Sequence, residues 1–159
     1  MKVVITDANI FIDLYEMALL EGFFKLPYYI STSKFILEEL DDIKPMVENL
    51  VTVIPVTDKD IATMSQLDWP KPFSFPDRTI LYFARLHQMM VLSGERRMMA
   101  WCKENALEGH GLLYILDAMI TNKVYKPKTV CQKLRMLMAT NLWLPTDLCE
   151  EMIQKWEQY

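Results

Sequence analysis

The chain has 159 residues, of which 52% are hydrophobic and 24% charged, with a formal net charge of −4. That composition excludes a disordered chain, and the length suits a single domain with a sizeable core. The acidic balance excludes bulk attraction to nucleic acid, leaving such binding to a local basic patch or a bound cation.

No apolar run approaches the length of a membrane span, the longest being of the kind Leu112-Leu113-Tyr114-Ile115-Leu116. No signal-peptide pattern opens the chain, so a cytoplasmic protein is expected. Cys102, Cys131 and Cys149 are widely spaced and form no CxxC motif. Reduced thiols are expected from them, not a zinc cluster or a disulfide framework.

The chain opens on Val3-Val4-Ile5-Thr6-Asp7-Ala8-Asn9. Three β-branched residues read as a buried strand over about residues 2–6. Asp7 then stands where open α/β sheets place site residues, just past the carboxyl end of a strand. It equally suits the N-cap of the helix that follows, expected from Ile10 to Glu21 with Gly22 as its stop. A short strand over 27–31 comes next, then a helix from a Ser33 cap through Ile43, and a short helix over 46–50. Val51–Val56 reads as a strand. Thr57 and Asp60 have capping-box spacing and open a helix to about Leu67.

Residues 68–76 break the pattern, with Pro70, Pro72 and Pro76 set among Trp69, Phe73 and Phe75. A helix is expected over 77–88, a buried strand over 89–93, a helix over 95–105 and a short edge strand over 106–110. Helices over 112–121, 128–139 and 146–158 finish the chain. Strands alternating with helices predict a three-layer α/β/α sandwich around a mostly parallel sheet of about five strands, with right-handed crossovers.

Helical geometry separates functional acids from solvated ones. With Ile36 at the origin, Leu40, Ile43 and Val47 fall within ~40° of it and mark the buried face. Glu39 lies ~60° from that centre and Glu38 ~160° away, so Glu39 alone of its cluster borders the core. In the helix after the proline-rich loop, Asp77 lies ~60° from Ile80, on the face turned to the sheet, while Arg78 and Arg85 read as solvated. Glu95 follows a strand end at Ser93-Gly94. Asp7, Glu39, Asp77 and Glu95 therefore all derive from strand ends or inward helix faces. Carboxylates gathered in one cleft must raise their pKa values or bind a cation, and an all-oxygen set suits Mg²⁺ or Mn²⁺.

The order of these pieces resembles the PIN-domain metal-dependent ribonucleases, in particular the VapC-type toxins of bacterial toxin–antitoxin pairs. The resemblance rests on Val4-Ile5-Thr6-Asp7-Ala8-Asn9, Ile36-Leu37-Glu38-Glu39-Leu40, Phe75-Pro76-Asp77-Arg78-Thr79-Ile80-Leu81 and Val91-Leu92-Ser93-Gly94-Glu95-Arg96-Arg97-Met98, with Gly109–Asp117 as the last crossover. It covers essentially the whole chain. One position departs from the pattern: the family's usual Asp is replaced by Glu95, one methylene longer.

The resemblance implies hydrolysis of RNA phosphodiesters, with Asp7, Glu39, Asp77 and Glu95 as catalytic metal ligands for Mg²⁺ or Mn²⁺ and Asn9 in support. Lys34, Arg96, Arg97 and Lys103 are the candidates for holding the RNA backbone. An antitoxin protein and a second copy of the chain are the implied protein partners, and no membrane is. The alternative reading is a PIN-like domain with weakened catalysis that binds RNA or protein, motivated by Glu95 and the acidic charge. A receiver-like signalling domain would need an acidic pair after the first strand and a Lys after the last, and neither occurs. A Rossmann cofactor domain would need a glycine-rich turn after the first strand, which is also missing.

Overall fold

Described over residues 1–159 by a computed structural model, the chain places its five strands in one sheet. They are β1 (Lys2–Thr6), β2 (Tyr28–Ser33), β3 (Thr52–Ile54), β4 (Met90–Leu92) and β5 (Gly109–His110), in the order β3-β2-β1-β4-β5. Every adjacent pair is parallel, with Val4 opposite Ile30 on one side and Met90 on the other. The expected sheet was mostly parallel. It is wholly so because every connection between strands contains at least one helix, and helical crossovers return the chain to run the same way. β1 is central, and Val4 and Ile5 are completely buried.

Helices flank the sheet. They are α1 (Ala8–Glu16), α2 (Leu20–Phe23), α3 (Lys34–Glu38), α4 (Lys44–Val47), α5 (Asp58–Ser65), α6 (Phe75–His87), α7 (Arg96–Glu104), α8 (Leu112–Thr121), α9 (Pro127–Thr140) and α10 (Thr146–Glu157). The helix α6 packs across β1, β2 and β4, α3 against β2 and β3, and α8 against β5 and α9. Their caps are those legible in the sequence. The Ser33 and Ser74 hydroxyls accept backbone N–H groups, and Thr57 with Asp60 closes a complete capping box.

Four expectations need correction. The first helix does not run to Glu21, because Ala18 turns into the left-handed region (φ 57°) and α2 starts afresh. Gly22 is consequently no helix stop. It lies inside α2 with the Tyr125 ring packed against it, where a Cβ would overlap the ring, and its N–H donates to the Tyr125 hydroxyl at 3.1 Å. The helix from Ser33 to Ile43 also breaks. α3 ends at Glu38, Asp41 adopts φ 48°, a 3-10 turn covers Asp41–Ile43, and α4 replaces the helix expected over 46–50. Ile36, Leu40, Ile43 and Val47 are nonetheless all buried.

The buried apolar residues join into one core that extends through α9 and α10 by way of Val130, Leu134, Ile153 and Trp156. The Trp156 indole N–H donates to Asp117 Oδ1 on α8 at 2.9 Å, and Arg135 pairs with Glu157 between α9 and α10. Cys102, Cys131 and Cys149 are buried free thiols. No helix is long and apolar enough to cross a membrane.

Candidate functional site

From β1 the chain proceeds outward to β2 and β3, then crosses back to β4 and β5 on the other side. The boundary between β1 and β4 is thus a topological switch point, where a parallel sheet opens a crevice beyond its carboxyl ends. Asp7 ends β1 there and Ser93 ends β4. The Asp7 N–H continues the ladder by donating to Leu92 O at 3.2 Å. The Ser93 hydroxyl donates to Asp7 Oδ2 in a short hydrogen bond, and the Glu95 N–H donates to the same hydroxyl at 3.1 Å. Asp7 Oδ1 accepts the Ile10 N–H at 3.2 Å. Asp7 is therefore a helix cap and also faces the crevice.

The buried polar residues of the chain are Thr6, Asp7, Ser31, Thr32, Ser33, Thr79 and Ser93. All lie at this one edge, on the carboxyl ends of β1, β2 and β4 or near the start of α6. Burying a polar side chain is costly unless it is hydrogen-bonded, and all of these but Ser31 are bonded to one another or to nearby backbone. Thr32 Oγ1 donates to Thr6 O at 2.9 Å. Thr79 gives its proton to Pro76 O, so across the 2.7 Å contact with Thr79 it is Ser33 that donates. Ser33 in turn caps α3. One relay of hydroxyls thus ties α3, which leads into Glu39, to the start of α6, which carries Asp77. In the sequence only the polar end of the β2 segment hinted at this, and Thr79 gave no signal.

The four acids are graded in depth. Asp7 is buried, Asp77 is half-buried in the first turn of α6, and Glu39 and Glu95 are exposed at the rim. Glu39 caps the carboxyl end of α3 instead of lying within the helix. Glu95 occupies the N-cap position of α7, but its side chain makes no capping bond, so its carboxylate is free. Burial pushes the Asp7 carboxyl up to about 7 against the pull of its Ser93 and Ile10 hydrogen bonds, and the charges of Asp77 and Glu95 add to the rise. Glu39 is raised by burial and then by Asp77. Glu95 is raised by burial and by Asp77, with Arg97 opposing. All three thus feel Asp77, the hub of the group.

None of the four pairs with a Lys or Arg. As the side chains stand, no group of three or more His, Cys, Asp or Glu is drawn tightly enough to hold an ion, so the carboxylates form an open cluster and not a closed cage. An all-oxygen donor set with unbalanced negative charge fits a hard divalent cation.

Asn9 is exposed on α1 and takes no part in the hydrogen bonds of Asp7. Lys34 opens α3, and Arg96 and Arg97 open α7 beside Glu95. Lys103 sits at the far end of α7, ~12 Å along the helix. All four cations are exposed and unpaired. Of the two arginines expected to be solvated, Arg85 is exposed, with its guanidinium 5.6 Å from the Trp101 ring centre, whereas Arg78 is half-buried and its Nε donates to Phe73 O at 3.1 Å. The aromatic residues of the proline-rich loop serve packing. Trp69 stacks on Trp101 at 5.5 Å, Phe75 meets Phe35 edge-on at 4.9 Å, and Phe73 is buried.

In comparisons with known proteins, a family model described as PIN domain matches residues 3–158. No curated protein matches the chain.

Proposed function

The chain belongs to the PIN-domain family, whose members are generally nucleases, and from that premise we propose that it is a Mg²⁺- or Mn²⁺-dependent endoribonuclease acting as one PIN-like domain. The observation that carries the proposal is the gathering of every buried polar side chain, and four carboxylates without a cationic partner, at the switch point of the sheet. Asp7, Asp77, Glu39 and Glu95 would hold the metal. A bound divalent ion supplies an activated water and stabilises charge on the leaving oxygen.

The residues of the chain do the rest. Asp7 is held at the floor by Ser93 and Ile10, so its carboxylate is pre-oriented at no cost in side-chain entropy. Asp77 is positioned by the Ser74 cap and the Thr79 relay. Glu95, longer by a methylene than the family's Asp, reaches inward from the rim. Lys34, Arg96 and Arg97 bind the phosphates flanking the cut, Lys103 extends the track, and Asn9 contacts the substrate or a water at the mouth. Calorimetry with Mn²⁺ tests the reading. Binding should be lost in Asp7→Asn and Asp77→Asn together with RNA cleavage, while both variants stay folded.

A second reading is favoured by the openness of the cluster and by Glu95: a domain with weakened catalysis that binds RNA or protein. It predicts no Mn²⁺ binding at millimolar metal and retained RNA binding. The likeness to VapC-type toxins adds a cytoplasmic toxin role with an antitoxin as partner. Expression of the chain alone should then arrest growth, and unimpaired growth alongside active cleavage in vitro would remove that role.

A further inference from the structure

The chain has seven phenylalanines. Phe11, Phe23, Phe73 and Phe83 are buried in the core, and Phe24 and Phe75 pack against it. Phe35 does neither. It is half-buried, lies outside the core, and has one aromatic partner, the Phe75 ring, met edge-on at 4.9 Å and 83°. In an edge-on pair only one ring lends a face. Phe75 therefore covers at most one face of the Phe35 ring. A phenyl ring has no polar tip to hydrate, so one held outside the core carries apolar surface that a ligand can bury.

The place of the ring says which ligand. Phe35 follows Lys34 directly beyond the carboxyl end of β2. It precedes Glu39 by four residues, which sets the two side chains one helical turn apart on the same face of α3. Lys34 is exposed and pairs with no acid. The ring is also held in position. The Ser33 hydroxyl caps α3 and meets Thr79 at 2.7 Å, and Phe75 opens α6 two residues before Asp77. A fixed aromatic ring, a free cation and a carboxylate of the acidic cluster thus stand side by side. Proteins that grip single-stranded nucleic acid combine the first two, with cations along the phosphates and aromatic faces stacked on bases. The carboxyl ends of β2 and β4 are two strand spacings apart, ~10 Å. A strand gripped by Lys34 and Phe35 at one end and by Arg96 and Arg97 at the other therefore crosses above Asp7, which ends β1 between them.

We propose that Phe35 stacks on the nucleobase flanking the cleaved phosphodiester on the β2 side, and thereby restricts cutting to bonds beside an unpaired base. The bases of a duplex are already stacked on one another and offer the ring no face. This role rests on the nuclease reading and adds to it a residue that selects the substrate.

Steady-state cleavage with Mn²⁺ tests it, on the fastest-cut member of a random-sequence oligoribonucleotide pool. The parent chain should cut that strand and leave it intact once annealed to its complement. Phe35→Ala should raise KM roughly 5- to 150-fold, the ~1–3 kcal/mol of one stacked base. Its kcat should change little, since the stack persists from bound substrate to transition state. Phe35→Trp should keep the parent KM. Removing bases one at a time from the substrate should cost the parent the same factor at one nucleotide beside the cut. The same removal should cost Phe35→Ala nothing, the mark of two groups in contact. Melting temperature and Mn²⁺ affinity by calorimetry should be unchanged in Phe35→Ala. A fall in Mn²⁺ affinity would make Phe35 a support for Glu39 and overturn the stacking role. Equal cutting of strand and duplex, an unchanged KM in Phe35→Ala, or a variant as sensitive as the parent to every missing base would overturn it while the nuclease reading stands. A parent that neither binds Mn²⁺ nor cuts RNA would overturn both.

Discussion

Asp7 carries a conflict that its neighbours only partly relieve. Its ordinary carboxyl value is 3.8, and in the fold it stands at about 7, with burial as the main cause. Between those values the folded chain keeps a proton that the unfolded chain has released. Stability therefore falls as pH rises from about 4 to about 7 and stays low above that range. The full rise in proton affinity corresponds to at most ~4 kcal/mol. Asn is uncharged and also a good N-cap. Asp7→Asn should match the parent near pH 4 and exceed it in stability at pH 8, measured by urea unfolding with chelator present. An unchanged pH slope in the variant would place the effect elsewhere. Asp7 was legible in the sequence because a β-branched run ended on it. Its partners were not. Ser93, Thr32 and Ser33 are small polar residues at strand ends, a position where turn residues are also expected, and nothing local distinguishes a bond to a distant acid.

Elements show where local pattern and tertiary packing part company. Apolar periodicity runs straight through the breaks at Ala18 and Asp41, because the residues on both sides face the same core. Neither break is marked by Gly or Pro, so the sequence reads each as one long helix. The tie between α3 and α6 is testable. Thr79→Val leaves the buried Ser33 hydroxyl without its acceptor, at a cost of ~1–3 kcal/mol. It should also weaken Mn²⁺ binding by loosening Asp77, while Thr79→Ser keeps both properties. Equal metal affinity in the Val variant would make the relay purely structural. At α2, Gly22→Ala should lower stability by ~1–3 kcal/mol, since a Cβ must displace the Tyr125 ring. Tyr125→Phe, which loses only the hydroxyl that accepts the Gly22 N–H, should cost ~1 kcal/mol. The ordering of the two melting temperatures checks both statements.

At the level of the whole molecule, alternating strands and helices announced the class of sheet but could not order it. Strand order depends on which distant segments pair, and the sequence position of β4 carries no sign that it lies next to β1. That placement brings Asp7 and Ser93 together, so the site became definite only with the topology. The three buried thiols supply a different kind of information. Cys102 lies on α7, while Cys131 and Cys149 lie on α9 and α10. Burial raises all three above their ordinary value, Cys102 to about 11, so none offers a thiolate to solvent in the native chain. Each can react with a thiol reagent only after its own element opens, which makes the unmodified protein a set of three clocks. Time-resolved labelling followed by peptide mass analysis should find Cys131 and Cys149 reacting at one shared rate, ahead of Cys102. That order would mark the paired helices α9 and α10 as a unit that detaches while the sheet stays closed.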